Sequence, residues 1–115
     1  FAPIGYFTLD PLGIILDANL AGAVLLGIKG SQKSRHRFAA FLHGDYLKAF
    51  NSFVDDVLHA NKKQRFYAVL SANSYRPERM IRIEAVPDTD ARECRMVVSE
   101  ILTEIPTSAN KQPAP

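Results

Sequence analysis

The sequence predicts an α+β domain with one five-stranded antiparallel sheet and helices packed on one of its faces. Three observations carry this reading. The chain opens on a hairpin that runs into a capped helix, its middle holds one strongly amphipathic helix, and from Gln64 onward the apolar period changes from helical spacing to two. Two strands before the helices and three after them close most simply as a single sheet whose ends pair around a helical crossover.

The opening stretch, Gly5 to Gly27, reads GYFTLDPLGIILDANLAGAVLLG. Tyr6 and Thr8, then Ile14 and Leu16, form two short apolar and β-branched runs. Between them Asp10-Pro11-Leu12-Gly13 places Asp, Pro and Gly where a type I turn wants them. The two runs therefore fold back as a hairpin. Asn19 then supplies a side-chain acceptor for the first free N–H groups of a helix about two turns long, and Gly27 ends it in a left-handed conformation.

Lys29 to Arg37 is basic and poor in apolar residues, with Gly30, Ser31 and Ser34, and reads as a solvated loop. Phe38, Phe41 and Leu42 mark the apolar face of a short helix. Asp45 is placed to cap a longer helix to about Ala60, where Leu47, Phe50, Val54, Val57 and Leu58 recur at helical spacing. In the next strand Phe66, Ala68 and Leu70 share one face, with Tyr67 and Val69 on the other. After a turn over 73–78, Ile81, Ile83 and Ala85 point inward while Arg82 and Glu84 point to water. A polar connection from Pro87 to Arg92 leads to the last strand, beginning at Cys94.

These elements resemble a PAS domain, the sensory module of bacterial histidine kinases and GGDEF-type cyclases. The residues that carry the resemblance are Gly5-Tyr6, Asp10 and Gly13, Ile14, Asn19, Ala21 and Leu26-Gly27, then Phe38, Phe41 and His43-Gly44-Asp45, and finally Glu100-Ile101. The resemblance implies a PAS-like sensory domain over residues 5–103, with 1–4 as an N-terminal extension and 104–115 as a flexible Pro-rich tail or linker. It further implies a sheet with the first strand central, and a kinase or cyclase output domain elsewhere in the parent protein. Leu102 stands where the closing signature usually has Thr.

Composition sets independent bounds. A chain of 115 residues, 47% hydrophobic, suits one domain and cannot hold two. Its 14 basic and 12 acidic side chains give a net charge of +2, too balanced to hold a polyanion, so nucleic acid is not expected as a partner. One cysteine forms no internal disulfide, and no apolar run approaches the roughly 18 residues that span a bilayer. The expectation is a cytoplasmic domain without direct membrane contact, cut from a longer protein that could itself be membrane-anchored.

Catalytic patterns are missing from the sequence: there is no G-x-S-x-G elbow, and His36, His43 and His59 have no partner at triad spacing. The run from Gly27 to Ser34 lacks the glycine before Lys33 that a phosphate loop needs. Metal-ligand spacing is also absent. Within the resemblance, the light-sensing flavin branch uses a Cys near the helices, whereas Cys94 opens the last strand. The haem-binding branch uses a His on the long helix, but His59 lies at a polar helix end. Neither haem nor flavin is expected.

The remaining candidate is a small-molecule site between sheet and helices, formed by Phe38, Phe41, Phe50, Val54, Leu58, Tyr67, Val69, Ser71 and Ser99. The apolar members equally suit a filled core, which leaves a structural dimerisation module as an alternative; a small α+β enzyme with an unrecognised site is a third. A homodimer is expected through the outer sheet face, with Met80, Val97 and Tyr6 or Phe7.

Overall fold

The computed structural model describes residues 4–29, 35–74 and 76–101. The Pro-rich tail at 104–115, Leu102, the middle of the basic segment and the first three residues lie outside the described residues. β1 (Ile4–Leu9) and β2 (Ile15–Ala18) form the opening hairpin. Its turn closes as the sequence requires. The Gly13 N–H donates to the Asp10 carbonyl at 2.9 Å, and the Asp10 carboxylate accepts from the N–H groups of Leu12 and Ile14.

α1 (Leu20–Leu26) follows, started by Asn19 and stopped by Gly27 at φ 76. The described end of the basic segment is not a free loop. His36 accepts at its carbonyl from the Ile15 N–H, Arg37 donates from Nη1 to the Leu12 carbonyl, and the Phe38 N–H donates to Gly13, so this stretch is laced to the hairpin turn. Two 3₁₀ turns, Phe38–Phe41 and Gly44–Tyr46, lead into α2 (Leu47–Ala60).

Asp45 does not cap that helix. It sits inside the second 3₁₀ turn, where its N–H donates to His43 Nδ1 at 3.3 Å, and α2 begins two residues later behind Tyr46 with no side-chain cap. The Gly44–Tyr46 turn tightens the approach and moves the helix start past the reach of the carboxylate. At the other end Asn61 takes the left-handed stop at φ 56.

β3 (Gln64–Leu70), β4 (Arg79–Pro87) and β5 (Cys94–Glu100) complete an antiparallel sheet in the order β2-β1-β5-β4-β3. The central strand is β5, not β1 as the sequence reading had it. β1 is interior but one place off centre, because the hairpin gives it β2 on one side and only its other edge accepts β5.

Both helices lie on one face of the sheet. Phe7, Leu9, Ala68, Leu70, Ile81, Ile83, Ala85, Cys94, Met96 and Val98 point to it and are buried, covered by Phe50, Phe53, Val54 and Val57 of α2 and by Phe38. The rings form a chain through this core: Phe7 meets Phe38 edge-on at 5.2 Å, Phe38 stacks on Phe50 at 5.2 Å, and Phe53 meets Phe66 at 5.0 Å. No described helix is long and apolar enough to cross a membrane.

Candidate functional site

The nine residues expected to line one pocket are divided among three places. Phe38, Phe50 and Val54 are sealed in the core, and Leu58 and Phe41 pack against it partly buried. Tyr67, Val69 and Ser99 correct the expectation, because they point away from the helices. Strand side chains alternate, so the inward packing of Phe66, Ala68 and Leu70 on β3 and of Met96 and Val98 on β5 sends their neighbours to the opposite face. Ser71, just past β3, joins neither group; its N–H donates to the Phe41 carbonyl at 2.9 Å, and the two residues share a cavity beside the end of α1.

The outer face follows from the strand register. One row across the sheet runs Ile4, Ser99, Arg82, Tyr67, and the next Tyr6, Val97, Glu84, Arg65. A third row holds Asp17, Thr8, Arg95 and Val86. Tyr6, Met80 and Val97 therefore share this face, whereas Phe7 is turned inward and only 2% exposed. A groove of about 400 Å³ lies on it, lined by Tyr6, Thr8, Val86 and Val97 together with the charged Asp17, Lys63, Glu84 and Arg95. Arg65 binds Glu84 at 2.9 Å, and that hydrogen bond holds the Glu84 carboxyl below its ordinary range, with Lys63 adding to the effect.

The second place, the cavity at the end of α1, holds about 310 Å³ between Leu25, Leu26, Gly27, Ala40, Phe41 and the residues from Leu70 to Ser74. Arg79 forms part of its wall. This residue escaped the sequence reading, although the signal was present: the inward run Ile81, Ile83, Ala85 extends one step back to position 79. Arg79 is 7% exposed, the one charged side chain among the buried described residues. Its Nη2 donates to the Leu25 carbonyl at 2.8 Å, at the negative end of α1, and Nη1 donates to the Pro77 carbonyl at 2.9 Å. Burial lowers its pKa, with the nearby Arg76 charge acting in the same direction.

Glu100 is the carboxylate closest to Arg79 on this face, with Oε1 3.9 Å from Nε, too far for a hydrogen bond. Arg76 holds Glu100 instead, through Nη2 at 2.9 and 3.0 Å from its two oxygens. Two residues weighed for cofactor chemistry are elsewhere. Cys94 is fully buried on β5, which pushes its thiol up to about 11 and keeps it protonated. His59 is exposed on the last turn of α2, where Nδ1 meets the Asp55 carbonyl at 2.7 Å.

Comparison with known proteins turns this geometry into a fold. No family model matches the chain, and no curated protein matches it. Solved structures do. The PAS domain of a protein from Colwellia psychrerythraea is similar over 85% of this chain and 86% of its own, with 15% identity and a TM-score of 0.71. The N-terminal domain of a diguanylate cyclase with a PAS/PAC sensor from Marinobacter aquaeolei is similar over 86% of this chain and 94% of its own, at 10% identity and a TM-score of 0.60. An RNA-binding light-oxygen-voltage receptor is similar over 84% of this chain, at 17% identity and a TM-score of 0.67, and there the chain spans only 27% of the receptor's length. Strand order 2-1-5-4-3, helices on one face and these similarities together establish that the chain has the PAS fold.

Proposed function

We propose that the chain is a non-catalytic, cytoplasmic sensory or interaction domain of a larger signal-transduction protein, and that two copies pair through the outer sheet face. The observation that carries this reading is the face itself. The helices cover only the inner side, and Ile4, Tyr6, Tyr67, Met80 and Val86 remain substantially exposed on the outer one. Exposed apolar area of this kind marks a partner surface, and a second copy is the partner that fits. The basic Arg65 is already paired with the acidic Glu84 inside one copy, so of the face's cations Arg82 and Arg95 are the ones that a paired copy would have to keep apart or turn to solvent.

The output partner on this reading is a kinase or cyclase domain, of the kind named for the Marinobacter protein. Because β5 is the central strand, an output module joined after it would be attached to the middle of the paired sheets. The sealed packing of Phe38, Phe50 and Val54 supports a filled core beneath α2, and on this reading the domain works without haem or flavin. Sedimentation and a visible spectrum test the reading together. The protein is expected to be colourless and to dimerise at about 1 mM, well above a micromolar dissociation constant, and Met80→Glu with Val97→Glu to leave it monomeric. Monomer alone at that concentration, a dimer indifferent to both substitutions, or a Soret band lost on His59→Ala overturns it.

A further inference from the structure

We propose that the cavity beside the C-terminal end of α1 is a binding site for a small monocarboxylate, held by Arg79 against an apolar wall. This deepens the sensory reading and rests on it, but not on the dimer.

The argument begins with charge. Arg79, Arg76 and Glu100 meet at the open end of the inner sheet face, two cations with one carboxylate. Arg76 already bonds both oxygens of Glu100, so Arg79 is the surplus cation. A buried charge requires a counter-charge in good geometry. Arg79 has two neutral carbonyls on two of its five N–H donors, and its Nε is buried without a hydrogen-bond partner. A guanidinium with N–H groups to spare can donate one of them to a carboxylate, a charge-assisted bond stronger than the ones it makes to neutral carbonyls. Glu100 would not be orphaned by that exchange, since Arg76 keeps it.

The cavity decides what kind of anion fits. Its volume, about 310 Å³, lies at the small end of the range for ligand pockets. Leu26, Phe41 and Leu70 give its lining apolar surface, and Ser71 and Ser74 bring hydroxyl-bearing side chains to it. Arg79 is the one cation among its lining residues, which matches a single negative charge and disfavours a phosphate carrying nearly two. A hydrocarbon body of about six carbons, placed against Phe41 and Leu26 with its carboxylate toward Arg79, satisfies both the apolar surface and the cation.

The test is a ¹⁵N–¹H NMR titration of the 115-residue chain with hexanoate and, in parallel, with neutral hexanamide. Hexanoate is expected to shift the amides of Gly27, Ser71 and Asn73 saturably, with a dissociation constant below about 1 mM, and hexanamide to bind at least about tenfold more weakly. Arg79→Gln should remove the preference for the carboxylate. Because Arg79 also anchors Leu25, a second variant, Ser71→Leu, fills the cavity and leaves Arg79 in place; it should abolish the shifts. Equal response to both probes, saturation in Ser71→Leu, or no shifts at about 10 mM hexanoate overturns the proposal. Sedimentation of the same variants is expected to be unchanged, so failure here is distinguishable from failure of the dimer.

Discussion

Asn19 does more than a cap residue has to. Its Oδ1 accepts from the Gly22 N–H at 2.8 Å and from the Tyr6 N–H at 2.9 Å, while its Nδ2 donates to the Ile4 carbonyl at 3.1 Å. One amide thus starts α1 and ties it to the first strand. Loss of a cap costs about 1 kcal/mol, and the two strand bonds raise that toward about 2 kcal/mol. Asn19→Ala is therefore expected to lower the urea midpoint by more than a cap alone would, and Asn19→Asp, which keeps the acceptor and loses the Ile4 bond, to fall between. Equal midpoints for all three proteins would contradict this placement. Asp88 works in a similar way in the β4–β5 connection, where its carboxylate accepts from the N–H groups of Glu93 and Arg92 and its pKa is lowered by those bonds. A depressed carboxylate contributes stability above its unfolded pKa and loses it as the pH falls through the folded value.

At the scale of elements, α1 is fitted to β1 by glycine. A Cβ on Gly22 would come within 2.8 Å of the Phe7 ring and 3.0 Å of Asn19 Oδ1, and one on Gly5 within 2.9 Å of the Gly22 backbone. Helix propensity alone would have Gly22→Ala stabilise α1 by about 1 kcal/mol. Packing opposes it. Overfilling a tight contact costs about 1–3 kcal/mol, and the atoms in the way belong to a buried ring and to the capping amide, neither free to move. The net expectation is a loss of stability, measured by thermal or urea unfolding; a stabilised Gly22→Ala would mean that α1 does not lie against β1 as described.

Over the whole molecule the aromatic chain joins the two halves of the sequence. Phe50 is fully buried on α2 and touches Phe38, Phe53 and Phe66, so it links the first 3₁₀ turn, the long helix and the edge strand β3. Truncating a buried Phe costs about 3–5 kcal/mol, a large share of the roughly 5–15 kcal/mol that stabilises a domain of this size. Phe50→Ala is expected to lower the urea midpoint by the equivalent of about 3–5 kcal/mol and to weaken the near-UV circular dichroism. Retention of the native spectrum and midpoint would mean that the core closes without this ring.

Much of this architecture was legible in the sequence because it depends on neighbours along the chain. The turn at Asp10–Gly13, the cap at Asn19, the stop at Gly27 and the alternation of Ile81, Ile83 and Ala85 each follow from local backbone chemistry and side-chain period. The same alternation already separated Tyr67 and Val69 from Phe66 and Ala68; grouping them in one pocket set it aside. What lay beyond reach depended on residues far apart in sequence. Asp45 misses its helix because a 3₁₀ turn intervenes, and β5 takes the centre because it must satisfy free edges of both β1 and β4. The environment of Arg79 is the clearest case. Its inward direction was readable from period two, but its partners, Leu25 from α1 and Glu100 from β5, come together only when the crossover folds onto the sheet. Local chemistry determines which elements form and which way their side chains face; only tertiary contact decides whether a buried charge finds a carboxylate, a carbonyl or a cavity beside it.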